Sequence, residues 1–157
     1  MAKKLQIEAI AVETGCNYPP PFDAPCLGSS WRRLGRAGGL TAFGVNLSRI
    51  PPGVWTSQRH WHSHEDEFVM VLEGELILAT DAGDERLGPG DCAAFKAGDP
   101  DGHHLINRSD RDALLLEIGN SDPARDACVY SDIDMIAKPG VETYLRRDGS
   151  PYPLNKP

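Results

Sequence analysis

From Leu40 to Gly119 the chain is a succession of short apolar runs cut by turn-forming residues. This cadence constrains the fold more than any other feature. Pro51-Pro52-Gly53, Glu73-Gly74, Asp81-Ala82-Gly83-Asp84 and Gly88-Pro89-Gly90 each mark a reversal. Between them the pattern predicts strands over 41–47, 58–62, 68–72, 75–80, 85–87, 91–95, 103–107 and 113–118. Strands this short and this closely spaced build an antiparallel sandwich or barrel, not a βαβ fold. No part of this region has the apolar spacing of an amphipathic helix. The run Phe68–Leu72 is apolar on both parities. Both faces of that strand should therefore be buried, one toward the barrel interior and the other under the N-terminal arm or a second subunit.

The flanks read differently. Residues 1–39 form an arm whose Pro19, Pro20, Pro21, Pro25 and Gly28 rule out a helix interior or a central strand, so it should wrap the surface in extended form. The weak alternation of Leu5, Ile7 and Ala9 suggests an edge strand, and Trp31–Gly35 has no clear pattern. Residues 120–157 form a C-terminal extension packing on the barrel. Edge strands are expected there near Val129–Ile133 and Thr143–Leu145, and partial disorder in the polar, Pro-rich end from Arg146. The whole is one domain of 157 residues.

Charge excludes some functions. Sixteen Lys and Arg stand against 23 Asp and Glu, a net charge of −7. A surface that binds nucleic acid non-specifically needs the opposite sign to neutralise phosphates. No apolar run is long enough to span a bilayer, and the start lacks a stretch of signal-peptide length, so a cytoplasmic protein is expected. Cys16, Cys26, Cys92 and Cys128 form no Cys-x-x-Cys pair and are expected as free thiols, with Cys16 and Cys26 near enough in the arm to pair if oxidised.

The chemistry concentrates between Gly53 and Gly74. His60 and His62 are two apart, so on a strand both imidazoles leave one face. A short turn and a returning strand that begins at Glu67 would bring a carboxylate to the same place. That is three of the ligands a first-row transition metal needs. A fourth can come from Gly102-His103-His104-Leu105-Ile106-Asn107, where adjacent histidines point to opposite faces and only one can look inward. Gln58 shares the His60 face and is a candidate pocket or supporting group, while Trp61 points away. Trp55 should pack the wall, and Arg32, Arg33 and Arg36 form a solvated basic loop unless they meet an acidic substrate. His64 belongs to the exposed turn.

These residues resemble the cupin superfamily. His60-Trp61-His62, four residues, Glu67, six residues and Gly74 match its first motif without a gap, and Gly90, Lys96, Gly98, His103 and Asn107 match its second more loosely. Gly53 stands one residue further from His60, and Gly98 two further from His103, than the family pattern usually has. Both extra lengths fall in loops ahead of a ligand position. The resemblance covers about residues 40–119. It implies an all-β, cupin-type double-stranded β-helix, a jelly-roll barrel, with His60, His62, Glu67 and His103 as metal ligands. The spacing to Asn107 selects His103 over His104. It also implies a homodimer and a divalent transition metal such as Zn, Fe, Mn or Ni, with open coordination positions for a small-molecule substrate. The function expected is a small metal-dependent enzyme of dioxygenase, lyase, decarboxylase or isomerase type. The alternative is a non-catalytic module that binds or senses a metal or small ligand.

Overall fold

The turn signals fall where the chain reverses. In the computed structural model, which describes residues 4–153, the strands are β1 (Glu13–Thr14), β2 (Ser30–Arg33), β3 (Phe43–Ile50), β4 (His60–His62), β5 (Glu67–Glu73), β6 (Leu76–Thr80), β7 (Gly83–Leu87), β8 (Cys92–Phe95), β9 (His104–Ile106), β10 (Ala113–Asn120), β11 (Cys128–Tyr130) and β12 (Ile136–Ala137). One short helix, α1 (Leu34–Gly38), follows β2. All strand pairings are antiparallel. The largest sheet runs β1-β2-β3-β10-β5-β8, and two smaller sheets run β12-β11-β4 and β7-β6-β9. Together they make the expected jelly-roll barrel.

Alternation explains which residues fill it. Ile50 of β3, Val69 and Val71 of β5, Ala113 and Leu115 of β10, Leu76 and Leu78 of β6, Leu87 and Leu105 form one buried cluster. The inward row of the large sheet changes character along its length. At one end it holds Ile50, Ala113 and Val71; at the other Asn46, Glu117 and Glu67 occupy the same parity. Apolar burial closes the barrel at one end, and polar side chains face the other.

Gly74 shows why the first motif ends in glycine. Its φ is +75°, and a Cβ there would lie 2.6 Å from the Asp112 carbonyl oxygen and 2.8 Å from the Ala113 Cα. Both neighbours are backbone and cannot step aside. Asn107, the last residue of the second motif, is fully buried. Its amide donates to the carbonyls of Ile50 (2.7 Å) and Arg111 (2.8 Å), and its side-chain oxygen accepts from the amide and hydroxyl of Ser109.

Several expectations need correction. Residues Ile7–Ala9 form a single 3-10 turn, not a strand. Instead of a neighbouring strand, the Arg32 side chain holds this stretch, donating to the Ile10 carbonyl and pairing with Glu8. The arm joins the sheet edge later, through Glu13 opposite Trp31. Residues 143–145 form no strand; only Leu145 bridges, to Ile136 and Pro151. β11 stops at Tyr130, whose amide donates to the Met135 carbonyl across a tight loop. Of the end expected to be disordered, residues 146–153 carry specific hydrogen bonds, such as Tyr152 to the Asp134 carbonyl, and the remainder lies outside the described residues. On β5, Val69 and Val71 are buried toward the interior, while the opposite face, with Phe68 and Met70 half-buried and Leu72 exposed, is not fully covered by the described part of the arm.

The arm and the extension meet. Tyr18 and Phe22 of the arm pack with Tyr130, Met135, Tyr144 and Tyr152 of the extension. Tyr18 and Tyr130 meet edge to face at 5.4 Å between ring centroids. Arg59 adds a polar clip, donating to both carboxylate oxygens of Asp132 at 2.9 and 2.7 Å.

Candidate metal centre

The strand pairings bring the motif residues together. Backbone hydrogen bonds link His60 and His103 in both directions, at 3.1 and 2.8 Å, so their side chains emerge side by side. Glu67, the first residue of β5, sits opposite Phe95 and Gly119 and reaches the same point. Its Oε2 lies 3.0 Å from His103 Nε2 and 3.8 Å from the Nε2 atoms of both His60 and His62. One carboxylate oxygen and three Nε2 atoms therefore converge. The ligand atoms of His60, Glu67 and His103 all lie within 4.8 Å of one another.

The opposite ring nitrogens fix the tautomers. His60 Nδ1 donates to the Gln58 carbonyl at 2.8 Å, and His62 Nδ1 donates to Asp126 Oδ2 at 2.6 Å. A proton held on Nδ1 leaves Nε2 with the lone pair, which is how outer partners prepare a metal ligand. His103 is placed by packing instead. Its ring stacks on Phe95, and its Nδ1 is buried without a hydrogen-bond partner among the described residues. This donor set, three imidazoles and a carboxylate on rigid strands, fits a divalent transition metal.

Electrostatics favour a cation here. Burial pushes the Glu67 carboxyl up, but the His103 hydrogen bond and the surrounding imidazoles outweigh it and hold the group down at about 2. Burial lowers His60 to about 4, so it is neutral at pH 7. For His62, burial opposes protonation, but Cys128, Glu67 and Asp126 together raise it to about 10, so at pH 7 the metal-free ring carries a proton on Nε2 that metal binding must displace. Asp126 itself is held below the usual carboxylate range: its burial acts upward, and the bonds from His62, the His64 amide and Ser63 outweigh it.

The remaining expected residues separate. His104 turns away, with Nδ1 3.0 Å from the Ser57 carbonyl and its ring edge-on to Trp55. His64 is exposed. Gln58 corrects the expectation that its side chain joins the site. Its amide donates to the Phe22 carbonyl at 2.7 Å and anchors the arm, and only its backbone oxygen serves His60. Three neighbours went unforeseen. β11 lies against β4 with Cys128 opposite His62 and Tyr130 opposite His60, and Asp126 precedes it. The ligand atoms of His60, His62 and Cys128 also lie within 4.8 Å. No local pattern announces a pairing between strands so far apart in the chain.

Asp126→Ala is expected to weaken metal binding by about 10- to 100-fold, the usual cost of removing an outer partner of a ligand histidine. Chelator-competition titration measures it, and an unchanged affinity would rule out a role for Asp126 in orienting His62.

The centre opens into a cavity of about 990 Å³. Arg33, Asn46, Ser57, Glu117 and Lys138 line it beside the histidines. Among the described residues no helix is long and apolar enough to cross a membrane.

A jelly-roll barrel with three histidines and a glutamate converging at its open end defines a class, and the comparisons name it. The cupin domain model matches residues 46–119. A sugar phosphate isomerase of the cupin superfamily from Silicibacter pomeroyi is 45% identical, with a TM-score of 0.90 over 98% of this chain and 99% of that one. This chain belongs to the cupin superfamily. The fold recurs in a putative sugar phosphate isomerase from Acidithiobacillus ferrooxidans, 22% identical with a TM-score of 0.81 over 99% and 97% of the two chains. It recurs again in a polyketide cyclase from Streptomyces resistomycificus, 19% identical with a TM-score of 0.63 over 78% and 81%. No curated protein matches the chain.

Proposed function

We propose that this protein is a metal-dependent isomerase of sugar phosphates, with His60, His62, Glu67 and His103 holding one divalent ion. The observation that carries the reading is the convergence of these four donors in a cavity of mixed polarity, within a chain 45% identical over nearly its whole length to a sugar phosphate isomerase. When bound, the metal would supply Lewis-acid polarisation of a carbonyl or hydroxyl oxygen. The chain's own residues do the rest. Asn46 and Ser57 offer hydrogen bonds to sugar hydroxyls. Lys138 is exposed at the cavity and makes no ion pair among the described residues, which leaves its ammonium for a phosphate. Arg33, already paired with Glu13, adds positive charge on the same wall. The volume suits a ligand of this size.

We also propose a homodimer through the outer face of the large sheet. Val45, Leu47, Phe68, Met70, Leu116 and Ile118 form an adjoining apolar surface there that the described residues do not bury completely. Sedimentation velocity of the wild type and of Leu116→Glu tests it: a dimer that the substitution splits supports the face, and a monomeric wild type ends the idea.

For the activity, protein purified without a metal-affinity tag is analysed for bound metals. It is then loaded separately with zinc, iron, manganese or nickel and offered aldose and ketose phosphates. Oxygen-independent interconversion that chelation abolishes is expected. Turnover that needs oxygen would point to a dioxygenase. Sugar phosphates that shift the melting temperature but are never converted would favour a binding module.

A further inference from the structure

The inward row of β10 runs Ala113, Leu115, Glu117, and the third position carries a carboxyl where the barrel pattern alone would place an apolar side chain. Glu117 stands opposite Val69 of β5 and Asn46 of β3, one step along the inward row from Glu67. It lines the cavity beside His60, His62 and His103. The Ser48 hydroxyl donates to its Oε2, and no other hydrogen bond reaches the carboxyl from the described residues. One oxygen is therefore fixed, and Oε1 is left to the contents of the cavity. A half-buried carboxyl without a cation costs stability.

We propose that Glu117 is the acid–base residue of this cavity, carrying the proton between adjacent carbons of the sugar phosphate. The proposal rests on the isomerase reading above. As carboxylate, Glu117 takes the proton from the hydroxyl-bearing carbon next to the carbonyl. The C–H electron pair becomes the C=C bond of an enediolate, and the former carbonyl oxygen takes up the displaced π pair as an oxyanion. The resulting carboxylic acid then returns the proton to the neighbouring carbon, while the other oxygen becomes the new carbonyl and its proton passes to the first. Atoms and electrons balance without an oxidant or reductant.

The environment suits both halves of that cycle. Burial raises the Glu117 carboxyl to about 7, opposed by the Ser48 hydrogen bond and assisted by the negative charge of Glu67. Both protonation states are then populated near neutral pH, as an acid–base group requires. The charged and titratable groups lining the same space are Arg33 of β2, His60 and His62 of β4, His103, Glu65 and Glu67, Tyr18 of the arm, Asp126, Cys128 and Tyr130 in and before β11, and Lys138, Glu142 and Tyr144 beyond it.

The test compares metal-loaded wild type, Glu117→Gln and Glu117→Asp. Glu117→Gln is expected to lower kcat by about 10²- to 10⁴-fold with metal content and KM little changed, and to abolish exchange of the substrate's carbon-bound hydrogen with heavy water. Glu117→Asp should recover part of both. A second readout does not depend on activity. A carboxyl whose folded-state pKa is raised stabilises the fold below its unfolded value, and that stability is lost as pH rises through the folded value. The wild type should therefore lose melting temperature relative to Glu117→Gln between about pH 5 and about pH 7. A gap independent of pH overturns the proposal, as does a Glu117→Gln enzyme within about threefold of wild-type kcat. A wild type that converts no sugar phosphate overturns the isomerase reading instead, and with it the role of Glu117 as its base.

Discussion

Metal affinity is expected to fall by more than about 100-fold when either His60 or His62 is replaced by alanine, and turnover should vanish with it. Losing an outer partner of a ligand histidine already costs about 10- to 100-fold, and losing the ligand removes the bond itself. The strands hold the other donors, so none can swing in to replace it. Glu67→Gln should cost less, because a neutral oxygen donor remains where the carboxylate stood. His104→Ala is the control: its ring bonds the Ser57 carbonyl and packs on Trp55, away from Glu67, so the variant should keep its metal. Chelator competition with elemental analysis reads all of these. A His104 variant that loses metal while His103→Ala retains it would reverse the assignment of the fourth ligand. Acid should act in the same direction as the substitutions. Protons compete with the metal for imidazole: His62, raised to about 10, already holds a proton at neutral pH, so apparent affinity falls as pH drops below about 10, and His60, lowered to about 4, adds to the loss only in acid.

Asn107→Ala should be the most damaging change away from the metal, at about 3 kcal/mol or more by urea unfolding. The side chain is fully buried and joins three stretches of chain: the end of β3 through Ile50, the loop at Arg111, and the turn at Ser109. Alanine leaves the Ile50 carbonyl without its donor inside the barrel, and each such orphan costs about 1–3 kcal/mol beside the cavity term. Asn107→Asp tests the mechanism separately, since it keeps the acceptor for Ser109 and loses the donor to Ile50. A loss below about 1 kcal/mol in the alanine variant would mean that the turn is held by other contacts.

The sequence carried the barrel because barrel strands announce themselves locally. Gly74, the four residues between His62 and Glu67, and the run from Phe68 are all within one strand-turn-strand unit, so their geometry follows from spacing. Parity said only that one of His103 and His104 looks inward; the resemblance, through the spacing to Asn107, selected His103. What stayed hidden was non-local. Asp126 and Cys128 reach the centre only because β11 pairs with β4, and a three-residue strand inside an irregular tail gives no sign of its partner. Gln58 misled for a related reason. Its parity was right, but the arm carbonyl of Phe22 competed for its amide. Glu117 was legible in principle, at the third inward position after Ala113 and Leu115, yet within Leu114–Ile118 it reads as a polar interruption until the facing strand is known.

The pairing of β4 with β11 has a consequence for how divisible this molecule is. All four converging donors lie within residues 46–119, so a fragment cut to that stretch would keep each of them. It would lack Asp126, and His62 would then be free to place its proton on either nitrogen. It would also lack Tyr130, whose ring lies against His60, and Met135, which packs with Tyr130 and the arm. Shortening the chain to its recognisable core would thus leave a correctly spelled motif with a loosened grip. For His62 alone, the donor atom and the group that aims it are encoded in different parts of the gene.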